Sequence, residues 1–229
     1  MPKKSRKIKV TDKKKAWNKR KARKPAYLIE QLEKKKVFLI ICEGENTEPQ
    51  YFLSFPVKTA RIKSYGLGSS KTKLVEYVLE IVKEENDQEQ EVWIVFDMDV
   101  RLENVSQQKG DYENAIRLAE ENEIHVAYSN DSFELWFILH YKYTDVQLKR
   151  YEYYKQLNDL WNCNYEEEGK KVVFCRNIYK LLEEDEKASI TQAIANAEKL
   201  LEKQKGLRLS EQNPSTTVHR LVIKLLEER

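Results

Sequence analysis

Two acidic clusters, each directly behind a short apolar run, are the residues of this chain whose types and spacing can do chemistry. Val37-Phe-Leu-Ile-Ile-Cys42 runs into Glu43-Gly-Glu-Asn-Thr-Glu48, and Val92-Trp-Ile-Val-Phe96 runs into Asp97-Met-Asp99. Runs of that length, ending in carboxylates, read as buried parallel strands whose carboxyl ends line a site. Carboxylates brought together there form a set of hard oxygen donors suited to Mg²⁺ or Mn²⁺, and so to phosphate chemistry. In an extended segment Asp97 and Asp99 project to the same side, and two adjacent negative charges call for a cation or a shared proton. Glu43 is a candidate metal ligand or general acid/base, and Gly44 permits a tight turn beside it. Glu45 is a weaker candidate. Glu48, in the first turn of a helix started by Thr47 and Pro49, is either a further metal ligand or a partner of the helix dipole.

A second group lies beyond. In Phe133-Glu-Leu-Trp-Phe-Ile-Leu-His140 the aromatic residues share a helix face and read as core. Glu134 and His140 are polar groups in an apolar helix, either hydrogen-bonded in the core or set at the edge of the acidic site. Ser129 and Asn130 follow a strand and can offer donors to a phosphate. His219, just inside the last helix beside Arg220, is a candidate phosphate contact, although a surface position is the stronger expectation. The tyrosines at 151, 153, 154 and 165 and Trp161 fit core packing or a protein interface better than base stacking.

The elements that position these residues follow from periodicity. Strands are expected over Val37–Cys42, Val57–Tyr65, Val92–Phe96 and Ile124–Tyr128. Helices are expected over Pro25–Lys35, from Thr47, over Thr72–Asn86 and over Asp111–Asn122. The alternation predicts a three-layer α/β unit across about residues 37–129. Further helices are expected at Ser132–Tyr143, Lys187–Lys205 and Thr216–Glu228. The domain plan is a basic, disordered arm (1–24), an α/β core (25–130) and a mostly helical C-terminal part packing on that core (131–229).

Charge is unevenly spread. Residues 1–24 hold 13 Lys/Arg against one Asp, whereas residues 25–229 hold 28 Lys/Arg against 37 Asp/Glu, which together give the net +3. A basic arm on an acidic body suits a polyanion such as nucleic acid, although a solubilising tail has the same composition. Three cysteines (Cys42, Cys163, Cys175) without CxxC spacing read as reduced thiols, not a disulfide frame or zinc site. No run approaches the roughly 18 apolar residues of a membrane span, and no signal-peptide pattern opens the chain, so the cytoplasm is the expected location. There is no GxxxxGK[ST] motif, so any ATP hydrolysis belongs to a partner.

Glu43-Gly44 after one strand and Asp97-x-Asp99 after a later one resemble the TOPRIM domain of topoisomerases, primases and OLD-type nucleases. The strings Cys42–Phe52, Val95–Asp99, Ser129–His140 and Asn213-Pro-Ser-Thr-Thr-Val-His219 resemble the RloB-like family more closely, in matching order over most of the chain. This resemblance implies a TOPRIM-like, mostly parallel sheet flanked by helices, with a helical C-terminal extension. It further implies a phage-defence or abortive-infection setting beside an AAA- or ABC-type ATPase, with Glu43 as general acid/base and Asp97 and Asp99 holding Mg²⁺. Thr47-Glu48 comes later after Glu43 than in many TOPRIM proteins, which sets Glu48 apart from the pattern. The expected activity is metal-dependent cleavage of RNA, such as tRNA, or DNA. The rivals are a primase-like nucleotidyl transferase and a non-catalytic nucleic-acid-binding subunit of an ATPase complex. A homo-oligomer is compatible with either.

Overall fold

A computed structural model describes residues 35–68, 70–85, 90–99 and 103–229. The basic arm and all but the last residue of the expected Pro25–Lys35 helix lie outside the described residues. Five strands form one sheet: β1 (Val37–Cys42), β2 (Arg61–Gly66), β3 (Gln90–Asp97), β4 (His125–Asn130) and β5 (Ser215–Thr216). Their order across the sheet is β2-β1-β3-β4-β5. All neighbours are parallel except the two-residue β5, which runs antiparallel to β4. The protein is therefore α/β, with a mostly parallel sheet flanked by helices.

Alternation of side chains along each strand builds two cores. Phe38, Ile40 and Cys42 of β1, Trp93 and Val95 of β3 and Ala127 of β4 face one way. They pack against α1 (Thr47–Leu53), which contributes Tyr51 and Phe52, and against the C-terminal helices. Those helices are α4 (Glu134–Leu139), α5 (Arg150–Trp161), the short α6 (Tyr165–Glu168) and α7 (Val172–Cys175), α8 (Ile178–Glu184), α9 (Ile190–Lys203) and α10 (Val218–Glu227). Leu39, Ile41, Ile94, Phe96, Val126 and Tyr128 face the other way, onto α2 (Lys71–Glu85) and α3 (Val105–Glu121). Each fully buried Leu, Ile or Phe contributes about 1.5–3 kcal/mol of transfer free energy.

Several boundaries differ from the sequence reading. The second strand starts at Arg61 instead of Val57, because the Val57 amide turns back to the Phe55 carbonyl and the Lys58 and Thr59 amides donate to the Glu228 carbonyl instead of to β1. The helix expected at Ser132–Tyr143 is only Glu134–Leu139. Its apolar run continues the core pattern further than the backbone continues the helix. β5 was not expected, since two residues carry no periodicity. Asn46, not Thr47, precedes α1 as its cap residue, without a side-chain capping bond. All three cysteines are free thiols. Among the described residues, no helix is long and apolar enough to cross a membrane.

Candidate active site at the carboxyl ends of the strands

Register brings the two acidic clusters together. Cys42 pairs with Val95 across β1 and β3, and the Glu43 amide donates to the Val95 carbonyl at 2.8 Å. Glu43 thus leaves the sheet beside the end of β3, where Asp97 pairs with Ser129 of β4. Beyond Asp97 the chain does not stay extended. Asp99 takes φ 41°, in the left-handed region that Asp tolerates better than most residues. The two aspartates are neighbours because of this turn and not because of strand alternation. The Met98 amide donates to the Ser129 carbonyl at 2.7 Å and the Asp99 amide to the Asp131 carbonyl at 3.2 Å, which fixes the turn against β4.

The result is a cavity of about 320 Å³ lined by Glu43, Gly44, Glu45, Asn46, Thr47, Glu48, Asp97, Asp99, Phe133, Glu134, Arg150, Tyr154 and Lys170. Of the candidate catalytic, metal-binding and substrate-binding residues, eight meet here: Glu43, Gly44, Glu45, Thr47, Glu48, Asp97, Asp99 and Glu134. Ser129 and Asn130 do not line it. Ser129 is buried against the Thr216 hydroxyl at 3.0 Å, and the Asn130 amide reaches the Leu209 and Ser210 carbonyls at 3.4 Å, so both hold β5 and its approach. His140 is buried elsewhere, lining a separate cavity with Tyr51 and Tyr179, its Nδ1 at 2.9 Å from the Trp136 carbonyl. His219, expected at the surface, is buried, because it lies three residues before Val222 on the inward face of α10. Burial pushes both histidines down to about 4, which leaves them neutral at pH 7.

Glycine placement shapes the floor of the cavity. A Cβ on Gly44 would fall 2.1 Å from Glu48 Oε2, so only glycine lets the Glu48 carboxyl fold against the β1–α1 loop. A Cβ on Gly66, at the end of β2, would fall 2.2 Å from the Gly44 carbonyl oxygen.

Each carboxylate has a distinct environment. Asp97 is 7 % exposed; its Oδ2 accepts from the Phe133 amide at 2.9 Å and lies 3.3 Å from Arg150 Nη2. Among the described residues its Oδ1 is buried with no hydrogen-bond partner. Asp99 Oδ2 lies 3.4 Å from Arg150 Nη1. Glu43 Oε1 accepts from Lys71 Nζ at 3.1 Å. Glu134 accepts from the Ser132 hydroxyl and, at 3.2 Å, from the Tyr165 hydroxyl. Among the described residues Glu48 has no ion pair.

These differences set where protons reside. Burial raises Glu43, with Lys71 opposing. Burial also pushes Glu48 up to about 7, and the charges of Glu134 and Glu43 push the same way. Asp97 is pushed well above the usual carboxylate range by burial, against the pull of Arg150, with Glu48 and Glu134 adding to the rise. Burial works against the Arg150 charge, but Asp97, Glu134 and Asp99 more than offset it. Glu48 is one of the charges that drives Asp97 up. A proton on Glu48 relieves part of that rise, and the Arg150 charge, which acts on both carboxyls, opposes it further.

Two features of the site were not legible in the sequence. Arg150 lies 53 residues beyond Asp97 in a polar stretch, and Lys71 opens a helix with no motif around it. The one available signal was electrostatic: carboxylates this crowded must be met by cations.

The donor chemistry fits a hard divalent ion. Six carboxyl side chains face one cavity, and a buried Asp97 oxygen lacks a partner. As the side chains stand, no three His, Cys, Asp or Glu among the described residues are gathered tightly enough to hold a metal. The cation between Asp97 and Asp99 is Arg150.

A mostly parallel sheet with converging carboxylates at the carboxyl ends of its strands defines an α/β protein with an acidic cleft at the usual ligand edge of such sheets. The chain belongs to the RloB-like protein family, whose model matches residues 38–225. No curated protein matches it, and no solved structure does.

Proposed function

We propose that this protein is a Mg²⁺- or Mn²⁺-dependent nuclease of the TOPRIM kind, hydrolysing phosphodiester bonds in nucleic acid, either RNA such as tRNA or DNA. The observation that carries this reading is Asp97: a buried carboxylate at a strand end, one oxygen fixed by a backbone amide and the other without a partner, in a cavity shared with Asp99, Glu43 and Glu48. Asp97 and Asp99 would hold the ion, which would supply charge neutralisation at the phosphate oxygens. Hydrolysis forms a bond from water oxygen to phosphorus and breaks the bond from phosphorus to the leaving oxygen. Glu43, raised by burial, accepts the proton of the attacking water. Glu48, at about 7, is a ready proton donor for the leaving oxygen. Lys170 on the cavity wall orients the phosphate. Family membership supports a role as an antiviral effector beside an ATPase partner, with the basic arm adding sequence-independent affinity.

The test is cleavage of pooled RNA and DNA with Mg²⁺ or Mn²⁺, with and without an ATPase encoded beside the gene. Wild type is expected to cleave and Asp97→Asn to lose at least about 100-fold in rate while keeping its circular dichroism spectrum. Full activity in Asp97→Asn ends the proposal. One observation favours a non-catalytic, regulatory subunit instead: Arg150 and Lys71 already pair with Asp97, Asp99 and Glu43. That reading requires that neither metal binds and that no combination cleaves. Template-directed nucleotide incorporation would point to a primase-like transferase.

A further inference from the structure

The contact that joins Asp97, Arg150 and Asp99 is not built like a structural ion pair. Charge-assisted N–H···O bonds run about 2.7–2.9 Å, and Arg usually grips one carboxylate with two parallel bonds. Here the guanidinium divides itself, Nη2 at 3.3 Å from Asp97 and Nη1 at 3.4 Å from Asp99. Both partners are left incomplete: among the described residues, Asp97 Oδ1 and Arg150 Nε are buried with no hydrogen bond. Arg150 is the first residue of α5 and follows Tyr141–Lys149, which contains no helix or strand. Its side chain is about a third exposed, at the cavity wall. It therefore has room to withdraw without unpacking a core element.

We propose that Arg150 is a resident counter-ion standing where a divalent cation binds, so that metal reaches Asp97 and Asp99 only by displacing it. The inference rests on the reading of that aspartate pair as a metal site. Its physical basis is charge balance. Two buried or half-buried carboxylates side by side need a neighbouring positive charge, and a loosely held guanidinium supplies one until a better-coordinated ion arrives. A guanidinium that remained in place would repel that ion. Metal affinity is then the difference between metal binding and Arg150 release, and removing the guanidinium strengthens metal binding. Losing two long, part-exposed contacts is worth roughly tenfold in affinity.

The experiment is Mn²⁺ titration of the full chain at pH 8, with free Mn²⁺ followed by electron paramagnetic resonance, in wild type, R150Q, D97N and R150Q/D97N. The expected result is binding about tenfold tighter in R150Q than in wild type, lost in both D97N backgrounds. Equal affinity in wild type and R150Q, with loss in D97N, overturns the counter-ion role and leaves the metal site standing. Tight binding in R150Q that survives D97N places the ion elsewhere and overturns the inference. No Mn²⁺ binding in any of the four removes both the inference and the metal-dependent reading. A wild-type readout covers the case in which R150Q does not fold. The Arg150 Nε–Hε cross-peak, assigned by its loss in R150K, should move on Mg²⁺ addition with the midpoint of ion binding. A cross-peak that stays fixed while the ion binds overturns the displacement.

Discussion

Glu48 shows how the site costs the fold. Its folded pKa is about 7 against an ordinary carboxylate value near 4.5, chiefly because it is buried. An acid raised in this way binds its proton more tightly folded than unfolded. Its stabilising contribution is therefore complete below pH 4.5 and is lost as the pH climbs through 7. Each unit of that shift corresponds to about 1.4 kcal/mol. Glu48→Gln keeps the shape and removes the ionisation, so it should be more stable than wild type at pH 8, by a few kcal/mol at most. The gap should close on going down to pH 5. Urea denaturation at the two pH values checks this, and equal wild-type and mutant stability at pH 8 would show that Glu48 ionises at no cost.

At the scale of elements, the joint between β2 and the β1–α1 loop holds the cavity open. Alanine at Gly66 would drive a methyl group into the Gly44 carbonyl and Glu45 Cα, backbone atoms that cannot rotate away. Gly66→Ala should cost about 1–3 kcal/mol. Gly110 in the interior of α3 has nothing within 4 Å of its added Cβ. Gly110→Ala should gain about 0.5–1 kcal/mol through helix propensity. Paired thermal melts of these two variants separate steric need from backbone freedom. The elements were legible in the sequence to the extent that their patterns were periodic. β1, β3, α2 and the two long C-terminal helices α9 and α10 carry strong hydrophobic spacing and lie close to where it placed them. The short α6, α7 and α8 carry little of it, and α3 starts at Val105, six residues before the expected Asp111, through a polar first turn. For the site, the carboxylates behind β1 and β3 could be read because they follow strands directly. Arg150, Lys71 and the Phe133 amide could not, since tertiary packing alone brings them in.

For the whole described molecule, the sheet face bearing Phe38, Ile40, Cys42, Trp93 and Val95 has no cover other than α1 and the helices after residue 130. Trp136 and Trp161 of those helices belong to or pack on the same cluster as Trp93. Tryptophan fluorescence and far-UV circular dichroism should therefore report a single coincident urea transition. A fragment of residues 35–130 should show no cooperative transition at all; a folded fragment would mean that the sheet is stable without its C-terminal cover. The unequal ends of the sheet bear on self-association. A lateral strand with open backbone groups is a template for another copy. β5 offers two residues, too few to extend a ladder, and β2 at the opposite margin carries Arg61 and Lys63. Two copies meeting through β2 would set like charges side by side. Basic side chains on that margin weigh against growth of the sheet from copy to copy.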